Sequence, residues 1–377
     1  MDFNLTNEQQ LLRDELAKFL GARYNLATSR AAAKTGAGWQ PDIWRGFATE
    51  LGILGATLPE QFGGIGGGPV ELMVITEALG HALVIEPYVE TVVVAGGLLH
   101  RAGGPAATAV LAEIIAGTAV VTLAAGDPDS ADLWHDASAL ATPAQPDGDG
   151  WVLNGAKATV VAAPLATHLL VTARTPGVDG ISLFLVDSDS AGIEVHPYRT
   201  IDDRRAADIA FHDVRLPAGA LLGEHGQAWP SLSRARDDGA AAICSEAVGC
   251  MRKVLADTVE YCKQRKQFGQ PIGSFQVLQH RLVDMYMELE QSIAAVYLAI
   301  LNLEAGEGAR ARAVSAAKAT VGRAARFIGQ QAVQLHGGMG MTEELAIGHY
   351  FKRLTAIQYE FGTTDQHIAR YAELTKA

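Results

Sequence analysis

The apolar residues of this 377-residue chain change their spacing twice, and that change limits the fold more than any other feature of the sequence. The run after Thr6, Glu8 and Gln9 places Leu11, Leu12, Leu16, Phe19 and Leu20 on one helical stripe. Trp44 and Phe47 mark a second helix, interrupted before Pro59. Gly63, Gly64, Gly66, Gly67 and Gly68 break the chain, and a helix resumes over 71–79, with Gly80 as its expected stop. From about residue 119 the pattern becomes short β-rich segments: 120–123, 151–153, 169–172, 181–186 and 193–196. Asp147-Gly148-Asp149-Gly150 is a hairpin-type turn between two of them. Short strands without intervening long helices imply an antiparallel sheet or small barrel.

Helical spacing then returns. Leu278, Leu282, Met285, Leu289, Ser292 and Val296 alternate by fours and threes. Val314, Ala317, Val321, Ala324, Ile328, Ala332 and Leu335 do much the same, with small residues that allow close helix approach. Such faces build a four-helix bundle. The expected fold is therefore multidomain α and β: an N-terminal helical domain over 1–118, a middle antiparallel β domain over 119–221, and a C-terminal four-helix bundle over 222–377. A chain of this length exceeds what one hydrophobic core supports.

Charge narrows the function classes. A net charge of −12 leaves no basic stripe to meet nucleic-acid phosphates. It does not exclude a small anionic ligand, which needs only a few local cations. Cys244, Cys250 and Cys262 form no C-x-x-C pair and read as buried thiols in a reducing compartment. The opening residues lack a basic, then apolar, leader pattern, and the apolar stretch 92–99 is too short to span a bilayer. The expectation is a cytoplasmic protein without a membrane span.

Four motifs carry a resemblance. Tyr261, Arg265, Phe268-Gly269, Ile272 and Gln276 follow the spacing Y…R-x-x-F-G-x-x-I…Q. Gln334-Leu335-His336-Gly337-Gly338-Met339-Gly340 follows Q-x-x-G-G-x-G, and Gly362-Thr363-Thr364 follows G-T-S. Asp213 to Pro217, with Leu222-Gly223-Glu224, follows a strand and turn leaving a β domain. Together with the opening Asp2-Phe3-Asn4-Leu5-Thr6, these resemble the acyl-CoA dehydrogenases over the whole chain. The resemblance implies FAD as cofactor, an acyl-CoA thioester as substrate and an electron-transfer flavoprotein as acceptor. It also implies an oligomer, either of one chain or a heterotetramer with a second acyl-CoA dehydrogenase subunit. Arg265 is then the cation that pairs with the FAD pyrophosphate, a task suited to a guanidinium fork. Phe268 and Ile272 pack on the cofactor, Gln276 and Gln334 offer amide contacts, and Gly337 and Gly338 allow close backbone approach. These groups serve the neighbouring subunit's FAD, whereas Thr363 bonds the chain's own. The plainer alternative is that Arg265 pairs a bundle carboxylate and Gly337-Gly338 only stops a helix.

The sequence departs from that family at the chemistry. The family's general base is a Glu directly before G-T-S, and here Phe361 holds that position, with Glu360 one residue earlier. Glu360 is the catalytic candidate that remains, and it needs a local bulge to reach a substrate proton. Glu246 reads as a bundle carboxylate paired inside the helices. The flavin-cradling T-E-P-x-A-G-S-D survives only as Ala125-Gly126-Asp127-Pro128-Asp129-Ser130-Ala131-Asp132. Thr159 stands where the family has the aromatic that covers the isoalloxazine, and Val161 where it has a hydrogen-bonding Thr. This split pattern resembles the small subunits of heteromeric enzymes, such as the pimeloyl-CoA dehydrogenase small-subunit group. The readings that follow are an enzyme subunit with a degenerate site of its own, a non-catalytic subunit completing a partner's FAD site, or a flavin oxidase or monooxygenase of the same fold.

Overall fold

The structure, a computed structural model, describes residues 4–128, 138 and 140–376. In chain order the helices and strands begin with α1 (Asn7–Arg23), α2 (Leu26–Thr35), α3 (Pro41–Thr49) and α4 (Pro69–His81). A π-helical segment (Val89–Ala95) runs into α5 (Gly96–Ala102), followed by α6 (Gly104–Ile115). The strands are β1 (Val121–Ala124), β2 (Ala144–Asp147), β3 (Gly150–Val161), β4 (His168–Ala173), β5 (Ser182–Asp187), β6 (Ile193–Arg199), β7 (Arg205–Leu216) and β8 (Leu221–Leu222). Then come α7 (Trp229–Gln264), the two-residue strands β9 (Lys266–Gln267) and β10 (Gln270–Pro271), α8 (Gln276–Leu301), α9 (Glu307–His336), α10 (Ala346–Ile357) and α11 (Thr364–Lys376). Helices, a β region and helices again are the expected acyl-CoA dehydrogenase-like order. The chain folds as two compact units, Met1–Ala27 with Pro69–Val84 and Ala240–Ala377, and Thr28–Gly68 with Ile85–Gly239.

The first unit is helical. Thr6 caps α1 reciprocally: its hydroxyl accepts the Gln9 amide, and the Gln9 side chain accepts the Thr6 N–H. Leu16, Phe19 and Leu20 are buried as the stripe predicts, but Leu11 is 64% exposed, because the covered face of α1 is narrower than its apolar spacing. Gly80 corrects a second expectation. It does not stop α4, which runs on to His81. A Cβ on Gly80 would strike the carbonyl of Glu246 in α7, and one on Gly249 would strike that of Glu77 in α4. The two glycines let α4 and α7 cross at backbone contact, and the Cys250 thiol donates to the Gly80 carbonyl (3.1 Å). α9 packs against α8, α10 and α11 along its small-residue face, and Gly337, at φ 61, does end it.

In the second unit two four-stranded sheets, ordered β1-β4-β5-β8 and β2-β3-β7-β6, face each other. Val171, Phe184 and Val186 from one and Leu153, Ile209, Phe211 and Val214 from the other share a core. All pairings are antiparallel except β1 with β4. The turn read from Asp147 to Gly150 closes β2 on β3, with Asp147 opposite Gly150 and the left-handed position taken by Gly148. β3 is longer than its apolar segment suggested and carries register shifts between Leu153 and Gly155 and between Lys157 and Val160. The apolar stretch 92–99 lies in the π segment and α5. Among the described residues no helix is long and apolar enough to cross a membrane, and no acidic, His or Cys cluster could hold a metal.

Candidate functional site

In the helical unit, α7 ends at Gln264 and the chain turns through a short hairpin. Gln267 pairs with Gln270, so Phe268 and Gly269 alone make the loop, both with positive φ (53 and 82). This is a type I′ geometry, in which a bulky residue at the first position is strained. Phe268 is nevertheless there, 92% exposed, its ring edge-on to that of Phe275. Arg265 roots the hairpin: its N–H donates to the Tyr261 carbonyl and its own carbonyl accepts from Ile272 (both 2.8 Å). The Arg265 guanidinium is exposed and meets no carboxylate among the described residues. Tyr261 stacks on His336 at 4.2 Å, which sets the root of the hairpin beside the end of α9.

Gln334 is exposed two residues before that end, and Gln276 is exposed as the first residue of α8. A Cβ on Gly337 or on Gly338 would meet nothing within 4 Å. Packing inside the chain therefore gives no reason for glycine at 338. Arg265, Phe268, Gln276 and Gln334 all present polar or aromatic groups outward, whereas Ile272 is half-buried beneath the hairpin.

The stretch around Glu360 is built differently. Arg353, on α10 and 2% exposed, is gripped by two carboxylates. Its Nε and Nη2 donate to Glu246 (2.6 and 3.0 Å), and its Nη1 and Nη2 donate to Glu360 (2.5 and 3.1 Å). Both oxygens of Glu360 are thus held by one guanidinium. The next residue, Phe361, is at φ 56, and its carbonyl accepts from His367 Nε2 at 2.9 Å. Lys318, on α9 and fully buried, donates to the carbonyls of Gly362 (2.8 Å) and Gln358 (3.3 Å). Burial pushes the Lys318 ammonium below its ordinary pKa, and nearby Cys244 and Glu360 partly offset this. Thr363 caps α11: its hydroxyl accepts the Gln366 amide (3.2 Å) and its own N–H donates to the Gln366 side chain (2.8 Å).

The second unit holds the strand positions expected to cradle a flavin; residues 129–132 of that motif lie outside the described residues. Asp127 accepts from Lys157 Nζ (2.6 Å) and from the Thr142 hydroxyl (2.6 Å). Lys157 also donates to the Ala125 carbonyl (2.9 Å) and Thr172 (3.0 Å). Burial lowers the Lys157 pKa to about 8 against the pull of Asp127. Burial alone would raise the Asp127 pKa, but Lys157 and the Thr142 and Ala141 donors hold it below the usual range. Thr159 sits on the β3 bulge at φ 53, and its amide is already given to Asp208 (2.9 Å). The Val161 carbonyl accepts from Thr122 (2.7 Å), and its side chain offers no donor.

Glu246 is the buried, paired bundle carboxylate that the sequence suggested. Sequence reasoning missed that Arg353 is its partner, that Glu360 shares the same guanidinium, and that Lys318 braces the stretch. One signal was available: Lys318 is a charge set between Val314 and Val321 in an otherwise apolar seam.

Comparison with known proteins agrees with this architecture. Sequence profiles of the acyl-CoA dehydrogenase N-terminal, middle and C-terminal domains match residues 6–118, 132–214 and 227–374. A probable acyl-CoA dehydrogenase of Bacillus subtilis, YngJ, is 30% identical over 97% of both chains. The butyryl-CoA dehydrogenase of Megasphaera elsdenii superposes with a TM-score of 0.91 at 26% identity, covering all of both chains. A chain of the ChsE4–ChsE5 complex from Mycobacterium tuberculosis gives 0.90 at 25% identity, over 100% of this chain and 99% of that one. Order of domains, sequence and three-dimensional fold thus agree end to end, and the chain belongs to the acyl-CoA dehydrogenase family.

Proposed function

We propose that this chain is a base-deficient subunit of an FAD-dependent acyl-CoA dehydrogenase, working beside a second subunit that carries the base. The observation that supports this reading most is the double hold of Arg353 on Glu360, with Phe361 in the position of the family's base. A general base must come within hydrogen-bond reach of the substrate's α-proton. Arg353 holds Glu360 by both oxygens, which fixes the carboxylate in place, and Phe361 has no carboxylate to offer.

The residues of the helical unit fit a dinucleotide. Arg265 has an unpartnered guanidinium for the pyrophosphate, Phe268 an exposed ring, and Gly338 an open approach for a ligand's backbone contacts. Bound FAD would supply the acceptor for the β-hydride. Arg265 would hold its phosphates, and Gln276 and Gln334 would orient it. The β3 positions fit the isoalloxazine poorly, since the Thr159 amide is taken and Val161 cannot donate. That favours a chain whose outward half-site completes the flavin pocket of a partner. The ChsE4–ChsE5 relative comes from an assembly of two differently named proteins, which supports a heteromer here. An acyl-CoA thioester as substrate and an electron-transfer flavoprotein as acceptor complete the proposal.

The test is anaerobic mixing with acyl-CoA, read as flavin bleaching. The isolated chain loaded with FAD should bleach about 10²–10⁴-fold more slowly than a base-containing relative. In the assembled heteromer Glu360→Gln should leave turnover unchanged. Rapid bleaching by the isolated chain that Glu360→Gln abolishes would make Glu360 the base and end the proposal.

A further inference from the structure

A cavity of about 570 Å³ opens within the helical unit, lined by α1, the second half of α4, the middle of α7, and Tyr297 and Tyr350 of α8 and α10. None of the groups assigned above to cofactor or substrate lines it. Its volume falls in the range of small-molecule sites. Leu20, Met73 and Val74 are buried and make an apolar wall.

The rim is charged. Arg13, Arg252 and Lys253 face it with Glu77 and Asp257, and Arg13 meets Asp14 at 3.4 Å. Arg252 Nε meets Glu77 at 2.7 Å and Lys253 meets Asp257 at 2.6 Å. The terminal nitrogens of Arg252 make no hydrogen bond among the described residues. His81, also in the rim, reports the local field: its pKa is lowered by burial and then by Lys253 and Arg252, with Asp257 opposing. Gly21, in the last turn of α1, lines the cavity, and a Cβ there would meet nothing within 4 Å. That position stays open although glycine is among the weaker helix formers.

We infer that this cavity binds an amphipathic monocarboxylate, its tail against Leu20, Met73 and Val74 and its head beside Arg252 and Lys253. The apolar wall supplies affinity in proportion to the area it covers, and the unspent guanidinium N–H groups select an anion. The site is separate from the proposed flavin and thioester contacts, so it stands whether or not those are right.

Calorimetric titration of the full chain with octanoate and with 1-octanol tests it. Octanoate should bind at one site, and 1-octanol more weakly. Gly21→Phe fills the cavity from α1 and should abolish octanoate binding while leaving the melting temperature unchanged or raised. Ala78→Leu, from α4, must reproduce the loss, so the test survives if one filler misfolds. Arg252→Gln should weaken octanoate roughly tenfold, the worth of one charged hydrogen bond, without changing 1-octanol. No octanoate binding by the unaltered chain, or binding that persists in both fillers, overturns the inference. Equal affinity for 1-octanol overturns the anionic head.

Discussion

Around residues 353–367 the helical unit spends its charged and polar side chains inside the chain, and around 265–276 and 334–338 it leaves them unspent. Arg353 is 2% exposed and satisfies two carboxylates; Arg265 is exposed and satisfies none. Phe361 and Phe268 share nearly the same backbone strain, φ 56 and 53, yet the first is braced by His367 and the second juts into solvent. A buried, fully paired group has a structural task that the chain itself explains. An exposed, unpaired one held in a strained loop has no such explanation within the chain. The first stretch is a brace inside the chain, and the second turns its polar groups and the Phe268 ring outward.

The largest expected effect breaks the comparison at its inner side. Arg353→Ala removes the guanidinium that the Glu246 and Glu360 carboxylates share. Removing one partner of a buried ion pair costs about 3–5 kcal/mol, so urea denaturation should show a loss of that size. Arg265→Ala removes nothing the fold uses and should leave stability within about 0.5 kcal/mol. Its cost should appear instead as weaker FAD retention in the oligomer, about 1.5–3 kcal/mol for one charged hydrogen-bonded pairing. If both variants unfold alike, or if Arg265→Ala keeps its full flavin absorbance, the contrast between the two arginines is wrong.

How far the sequence led follows the same division. The Thr6–Gln9 cap was legible because both partners lie within four residues, and the β2–β3 turn because Gly148 and its neighbours are consecutive. Arg353 and Glu246 are 107 positions apart, and no local spacing connects them. Gly80 misled because glycine ends helices and also permits close crossings, and only the carbonyl of Glu246 above it decides between the two. The cap at Thr363 was legible in the same way as that at Thr6, since Gln366 at the third following position makes a capping box. The domain order was readable because the period of apolar residues is a property of each segment alone. The fate of each charge was not, because it depends on which distant segment arrives beside it.

The brace at Lys157 is a second inner example, and pH sharpens it. Its folded pKa of about 8 lies below the ordinary lysine value of 10.5. Between those values the unfolded chain binds more protons than the folded one, so stability rises with pH across that window and the burial penalty is greatest below it. Between pH 8 and 9 the contribution amounts to about 1 kcal/mol. Cys244, raised to about 12 by burial, acts oppositely from pH 9 upward, since there the unfolded chain loses a proton the folded one keeps. The difference in urea stability between the unaltered chain and Lys157→Met isolates the lysine. That difference should grow by about 1 kcal/mol from pH 8 to 9. A flat difference would mean that Asp127 keeps Lys157 fully charged.

The smallest expected change tests the outer side at Phe268. The hairpin needs two left-handed residues, and Asn-Gly is the pair that adopts this turn most readily. Phe at φ 53 carries a local cost of about 1 kcal/mol, and at 92% exposure it recovers little by burial. Its ring stands edge-on to that of Phe275, centroids 6.1 Å apart, which offsets part of that strain. Phe268→Asn should therefore stabilise the isolated chain by about 0.5–1 kcal/mol, a rise visible in the urea midpoint. The same substitution should reduce FAD retention in the oligomer, because the ring that the strained turn presents is gone. Only the two results together carry the argument. A gain in stability without a loss of flavin would leave the strain unexplained. A loss of both would mean that Phe268 packs inside its own chain, and the exposed hairpin would then belong with the braced stretch around Phe361.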